Sequence, residues 1–345
     1  MSGNQFRRDP ITSQWSIILE DKYDIKKLIT HTKQRQPQVF VNKTKYSEGN
    51  ESKTLPEIYA LREHHSTVNG PGWKVRIIPY EQPFLEIYGG LKSRGIGLYD
   101  VIDGVGAHEL VIEAPTANIQ MYDMGVEQIK YILEAYRERI IDLKRDNRFR
   151  CIIVHKNYGE GSGDLDFHAH SHIIATPITP ARFKNALINA QKHYRYKERC
   201  LFCDIIFQEI TDDERIIIQN DHYIALAPFA SRAPFSVWIL PKKHQAFFEN
   251  DSNYDQLASI LKEILTKIKN ILNDPNYVMV LNTGPNLNTA REIDYWKTLD
   301  KDYHWYFEII PRLRSFTSFE MGSGILVNVV PPERAAAILR SEIID

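Results

Sequence analysis

The sequence predicts an α+β chain made of two tandem units, each an antiparallel sheet with helices packed on it. Three observations predict it: an internal repeat of element order, two long amphipathic helical runs, and apolar strand-like runs closed by proline. In the first half Val126, Ile129, Ile132, Leu133, Tyr136, Ile140 and Leu143 recur at helical spacing. The strand-like run RCIIVHKN follows, then the turn YGEGSGD and the segment FHAHSHIIATP. In the second half Leu257, Ile260, Leu261, Ile264, Ile268 and Ile271 share one helical face. They are followed by YVMVLN, a loop beginning TGP, and YHWYFEIIPRL. Earlier strands match as well: WKVRIIP and HELVIEAP in the first half, HYIALAP and FSVWILPKKH in the second. The spacing places an N-terminal unit over 1–180, a polar linking helix over 181–198 and a C-terminal unit over 199–345. The stretch from Lys33 to Lys53 is polar and aperiodic and reads as a long loop.

At 345 residues the chain is long enough for two units with cores of ordinary size. It is 43% hydrophobic and 25% charged, the mixture of a soluble globular protein. Lys plus Arg (43) nearly balances Asp plus Glu (44), which disfavours a broad nucleic-acid surface but leaves room for a local anion pocket. No apolar run approaches the roughly 20 residues of a spanning helix, and MSGNQFRRDP lacks the apolar segment of a secretory signal. The expectation is a cytosolic enzyme with no nucleic-acid or membrane partner. Three cysteines, Cys151, Cys200 and Cys203, argue against a disulfide framework. Cys151 lies in a β-branched run and reads as a core thiol.

His168, His170 and His172 alternate with Ala169 and Ser171. On a strand, alternate side chains share a face, so the three imidazoles are expected to line one side. Packing alone explains such alternation poorly. A metal site is the sharper rival, since imidazole is a common ligand, although no nearby carboxylate or thiol completes a catalytic zinc set. The preceding loop, Asn157 to Gly163, brings Gly161, Ser162 and Gly163 beside those imidazoles, and glycine lets backbone amides approach phosphate oxygens closely. Together they suggest phosphoryl chemistry: an imidazole attacks phosphorus while amides and a second donor hold the developing charge.

With those residues in place, the sequence resembles the galactose-1-phosphate uridylyltransferase family, the transferase branch of the histidine-triad superfamily. The likeness runs through FRRDPITSQW, EGNESKTLPEIYALR, WKVRIIP, HELVIEAP, NYGEGSGDLDFHAHSHIIATPITP, CLFCDII, APFASRAPFSVWILPKKH, YHWYFEIIPRL and FEMGSGILVNVVPPERAA, in that order. The resemblance implies two tandem histidine-triad-like units and a homodimer. It also implies a ping-pong reaction in which His170, the second histidine of the family's His-Pro-His-x-Gln motif, takes a nucleoside monophosphate from a nucleotide sugar. The acceptor is then a sugar phosphate or phosphate. It further implies that Asn157 and Gly163 contact the nucleotide, that Tyr80 lies near the base, and that Gly322 and Ser323 lie near the sugar phosphate. Arg76, Lys242, Lys243, Arg312 and Arg314 are candidate phosphate partners by their charge, with a solvated face as the alternative for each.

Two departures sharpen the reading. His172 stands where the family has glutamine, as in the hydrolase branch of the superfamily. Its ordinary pKa of about 6.5 would let it accept a proton from water and speed hydrolysis of the intermediate. The family's phosphate-binding serine falls on Leu165, and its base-contacting segment on Tyr80-Glu81-Gln82. Transfer is therefore weighed beside hydrolase or phosphoramidase activity, ADP-sugar phosphorolysis, and nucleotide binding without turnover.

The family's first metal site is expected to be lost. Thr44, Ser47 and Ala117 stand at its ligand positions, which leaves only His168. In the second half Cys200-x-x-Cys203, His244 and His304 make a closed tetrahedral set, the composition of one structural zinc. Tyr306 occupies in unit two the place of His170, so the second unit lacks a nucleophile.

Overall fold

A ten-stranded antiparallel sheet runs through both halves of the chain. The computed structural model describes residues 3–20, 23–31, 42–164, 168–289 and 293–343. An N-terminal hairpin, β1 (Gln5–Arg8) and β2 (Trp15–Ile18), leads to helix α1 (Ile25–His31). The first half then gives β3 (Tyr59–Arg62), β4 (Trp73–Pro79), a hairpin of β5 (Ser93–Ile96) and β6 (Tyr99–Ile102), and β7 (Ala107–Ile112). Helix α2 (Val126–Leu143), β8 (Cys151–Tyr158) and β9 (His170–Thr176) complete it. Helices α3 (Ala181–Lys197) and α4 (Leu201–Asp212) lead into the second half. There follow β10 (Ile216–Gln219), β11 (Tyr223–Leu226), β12 (Val237–Pro241), α5 (Tyr254–Ile271), β13 (Tyr277–Asn282), α6 (Leu299–Asp302) and β14 (Tyr306–Pro311). The chain ends with α7 (Ser318–Ser323), β15 (Leu326–Asn328) and α8 (Pro332–Ser341).

The strand order is β10-β11-β12-β14-β13-β8-β9-β7-β4-β3. Read from each outer edge to the middle, both halves run first, second, third, fifth, fourth, so the repeat seen in the sequence is a repeat of topology. The two fourth strands meet at the centre, Tyr277–Asn282 pairing antiparallel with Ile153–Tyr158. The helix before each of them, α2 and α5, packs on the same face and against the other. One apolar cluster holds Ile132, Leu133 and Ile140 of α2 together with Leu257, Leu261 and Ile264 of α5. The two units therefore share this core, and each also buries a smaller cluster of its own, around Trp73 and Leu110 in the first half and Phe202 and Leu240 in the second. Cys151 is buried, as expected of a core thiol.

The face of the sheet away from α2 and α5 carries His155, His170 and His172. Part of the polar Lys33–Lys53 stretch lies outside the described residues, as do Leu165 and Phe167. Its end forms a short 3-10 turn at Glu51–Lys53. No helix among the described residues is long and apolar enough to cross a membrane.

Candidate active site

Strand β9 begins at His170, so His168 lies just before the strand rather than within it. Ala169, Ser171 and Ile173 turn toward the helices, and Ser171 Oγ meets Tyr136 at 2.7 Å. His170 and His172 emerge on the opposite face, level with Ile112 and Leu110 of β7. Nδ1 of His170 lies 2.8 Å from the carbonyl oxygen of His168. A carbonyl only accepts, so Nδ1 carries the hydrogen and a neutral ring keeps its lone pair on Nε2. Beneath it, Lys156 of β8 donates to the His170 carbonyl at 2.9 Å and pairs with Glu113 at 2.7 Å. Both side chains are buried, and the backbone of the strand start is thereby fixed.

The glycine turn closes over this point. Gly159 and Gly163 have φ of 80° and 88°, a left-handed backbone that glycine adopts without strain. A Cβ at Gly159 would stand 1.9 Å from Asn276 Oδ1, so any side chain there would have to displace Asn276. Between them Gly161 and Ser162 lie on a 3-10 turn, Glu160–Ser162, and Ser162 Oγ is buried without a partner among the described residues. The loop brings an oxygen of Asp164 to 4.0 Å from His170 Nε2. Asn157 lies on β8 two residues beyond His155, on the same side of the strand.

A row of rings crosses four strands: Tyr80 after β4, His108 of β7, His172 of β9 and His155 of β8. Successive ring centroids lie 4.5, 5.2 and 5.1 Å apart. Burial pushes His108 and His155 down to about 4. It pushes His172 down to about 2, with His170, His155, His108 and Lys156 adding to the effect. The sequence reading of His172 as a group that titrates near neutrality is thus overturned. Its ring stays neutral because a charge there would lie out of water among other imidazoles. His108 and His155 are absent from the sequence reading. Each sits alone on its strand, and only the cross-strand register, His155 opposite His172, reveals the cluster.

His168 belongs to a different set. Its Nε2 donates to the Ala114 carbonyl at 2.7 Å, so its Nδ1 accepts from the Thr44 hydroxyl at 2.9 Å. Ser47 Oγ accepts from the Thr44 amide. Hydrogen bonds satisfy this imidazole fully, and it has no ring nitrogen left for a metal. Arg76 corrects the sequence reading too. It is buried, and its guanidinium bonds Glu57 at 3.1 Å, Thr54 Oγ1 at 2.7 Å and the Leu55 carbonyl at 3.2 Å, so its donors are already taken. Arg314 is likewise held by Glu320, at 2.5 Å. Gly322 and Ser323 lie on α7, and the Gly324 carbonyl just after them accepts from Gln14 beside the β1–β2–β15 sheet. No hydrogen bond among the described residues joins Gly322 or Ser323 to the histidines.

In the second half, Cys200, Cys203, His244 and His304 bring their ligand atoms within 4.8 Å of one another. Cys203 Sγ is 3.6 Å from His244 Nδ1 and 3.3 Å from His304 Nε2, and the two nitrogens are 3.1 Å apart. A tetrahedral zinc with bonds of 2.0–2.3 Å has ligand–ligand edges of about 3.3–3.7 Å, so the donor set fits that ion. His244 Nε2 donates to the Asp300 carbonyl at 2.8 Å, which turns Nδ1 toward the cluster. The Cys200 thiol, then the two imidazoles, hold Cys203 down to about 3. Tyr306 is buried in this half, and Glu308, two residues on, binds Arg182 at 2.7 Å and Arg232 at 2.9 Å.

Residues 186–341 match the family model described as galactose-1-phosphate uridyl transferase, C-terminal domain. The chain is 30% identical to ADP-glucose phosphorylase of Arabidopsis thaliana, over 97% of this chain and 92% of that protein. It is 27% identical to galactose-1-phosphate uridylyltransferase of Thermotoga maritima, over 68% of this chain and 74% of that one. Among solved structures, an Arabidopsis thaliana ADP-glucose phosphorylase with bound ADP-glucose superposes with a TM-score of 0.81 and 26% identity, covering 100% of both chains.

Proposed function

The chain is an enzyme of the galactose-1-phosphate uridyl transferase family, and from that premise we propose that it transfers a nucleoside monophosphate through a covalent bond to His170. The observation that carries this is the 2.8 Å contact from His170 Nδ1 to the His168 carbonyl. It leaves the Nε2 lone pair as the nucleophile and supports the ring as positive charge builds on Nδ1–H. Nε2 forms a bond to the α-phosphorus, and the bond to the sugar-phosphate oxygen breaks, its electron pair leaving with the sugar phosphate. An oxygen of the acceptor phosphate then attacks the same phosphorus, and the N–P pair returns to Nε2. The amides of the glycine turn, Ser162 Oγ and Asn157 are the groups we assign to the nucleotide, with Tyr80 beside the site.

The donor class we propose is an ADP-sugar, with inorganic phosphate as acceptor. Support comes from the likeness to ADP-glucose phosphorylase along nearly the whole chain. We assign the chemistry to the first half and one structural zinc to Cys200, Cys203, His244 and His304 in the second. A homodimer belongs to the same reading: the β5–β6 hairpin exposes Ile96, Leu98 and Tyr99, which a second copy would cover.

The test is intact mass after incubation with ADP-glucose or UDP-glucose, followed by phosphate or buffer alone. An adenylyl adduct that phosphate discharges to ADP supports the proposal. A uridylyl adduct moves the substrate to the uridylyltransferase side. Discharge by water alone makes the chain a hydrolase, and absence of any adduct removes the nucleophile. Sedimentation as a monomer removes the dimer.

A further inference from the structure

We propose that His108 is a positioning residue that fixes His172 as a neutral hydrogen-bond donor, and that Phe84 supplies the amide which sets His108. The proposal rests on the reading of His170 as nucleophile. The backbone N–H of Phe84 lies 3.3 Å from His108 Nδ1, and His108 Nε2 lies 3.1 Å from His172 Nδ1. A backbone amide only donates, so His108 Nδ1 accepts. A neutral imidazole with an accepting Nδ1 carries its hydrogen on Nε2. That hydrogen points to His172 Nδ1, which must therefore accept, and the hydrogen of His172 is left on Nε2. One fixed amide thus sets two tautomers in series.

The surroundings hold both rings neutral. His108 lies between the rings of Tyr80 and Phe84, at 4.5 and 4.7 Å. His172 is bounded by Tyr80 at 5.0 Å, His155 at 5.1 Å and His170 at 5.3 Å. No carboxylate forms an ion pair with either ring among the described residues. No protein group among them accepts the Nε2 hydrogen of His172. It is a donor beside the nucleophile without a partner among the described residues, which is what a phosphoryl oxygen requires. The family's glutamine donates with an amide that has no tautomer to choose. A histidine in its place donates in one tautomer and presents a lone pair in the other, so it needs a second group to choose for it. With Nδ1 taken and Nε2 protonated, His172 has no free lone pair with which to draw a proton from water. The same contact therefore suppresses hydrolysis of the nucleotidyl-histidine while preserving transfer.

The experiment combines two readouts on the full chain. Long-range 15N–1H spectra of labelled protein report the tautomer of His172 without reference to turnover. Single-turnover adduct formation from ADP-glucose reports the donor's effect. For His108→Leu we expect His172 to lose its unique Nε2–H state, and adduct formation to slow by roughly 10- to 100-fold, in the range for loss of one oxyanion donor. His108→Gln, whose amide can accept from Phe84 and donate to His172, should restore the tautomer and stay within about threefold of wild type. In a His172→Gln background, His108→Leu should cost less than about threefold, because an amide has no tautomer to lose. An unchanged His172 tautomer in His108→Leu overturns the proposal, as does an equal loss of rate in both backgrounds. If wild type forms no adduct, the functional reading fails while the tautomer readout still decides the relay.

Discussion

Lys156 and Glu113 form an ion pair at 2.7 Å, with neither side chain more than 1% exposed, directly beneath the carbonyl of His170. Removing one partner leaves the other charge buried and uncompensated. Lys156→Met should lower stability by about 3–5 kcal/mol, whereas Lys156→Met with Glu113→Gln should recover a good part of that. Urea unfolding monitored by circular dichroism measures both. A single variant as stable as wild type would show that water reaches the pair.

His170→Ala should unfold at the wild-type midpoint and form no adduct. The residue's ring makes one backbone hydrogen bond, and its contribution to the fold is small beside the core under α2 and α5. Adduct seen on this variant by intact mass, at more than a trace, assigns the nucleophile elsewhere.

Metal analysis of purified protein should return one zinc per chain, lost in Cys203→Ser along with a clear fall in Tm, since metal-binding energy at a closed site is folding energy. Two zincs per chain, or none, contradict the assignment. The first-half cluster should behave differently. Thr44→Val strips the donor from His168 Nδ1 and should cost about 1–3 kcal/mol through an unsatisfied buried group, with no change in metal content. Thr44→Ser should be close to neutral.

Stability should fall in mild acid. His108 and His155 are pushed down to about 4 and His172 to about 2, all by burial first. The unfolded chain protonates these imidazoles below about 6.5, and the folded chain does not. Their contribution is therefore complete above that pH and is lost progressively as pH drops toward 4, and below it for His172. Urea midpoints measured from pH 7.5 to 4.5 should decline, and His155→Phe should flatten the decline. A constant midpoint over that range rules the effect out.

Elements with strong periodicity were legible in the sequence. WKVRIIP is strand β4 and YVMVLN is strand β13, residue for residue, and the apolar faces of α2 and α5 are the buried ones. Cys200, Cys203, His244 and His304 converge although His304 lies more than a hundred residues from Cys200. The Cys-x-x-Cys spacing and the two-thiolate, two-imidazole composition were the legible signals, and the repeat placed His304 where the first half has His168. What depended on register was hidden. His155 and His108 read as ordinary strand residues until β8 and β7 flank β9. Arg76 carries the right charge for phosphate, but charge alone does not show that Glu57 lies beside it. His168 keeps its place in the motif while the structure gives it to Thr44 and Ala114.

The seam between β8 and β13 has a consequence for how this chain can be divided. Its six paired positions join the fourth sheet strand of each half, and α2 and α5 close over the joint. Severed in α3, each fragment would offer that strand as an open edge, ready to pair with another strand. Fragments made separately are therefore expected to aggregate, and fragments made together to reassemble across the same six rungs. The asparagine at 157 and the histidine at 155 stand on that joining strand. If the proposed transfer holds, reassembly can thus be followed as recovery of the adduct on His170.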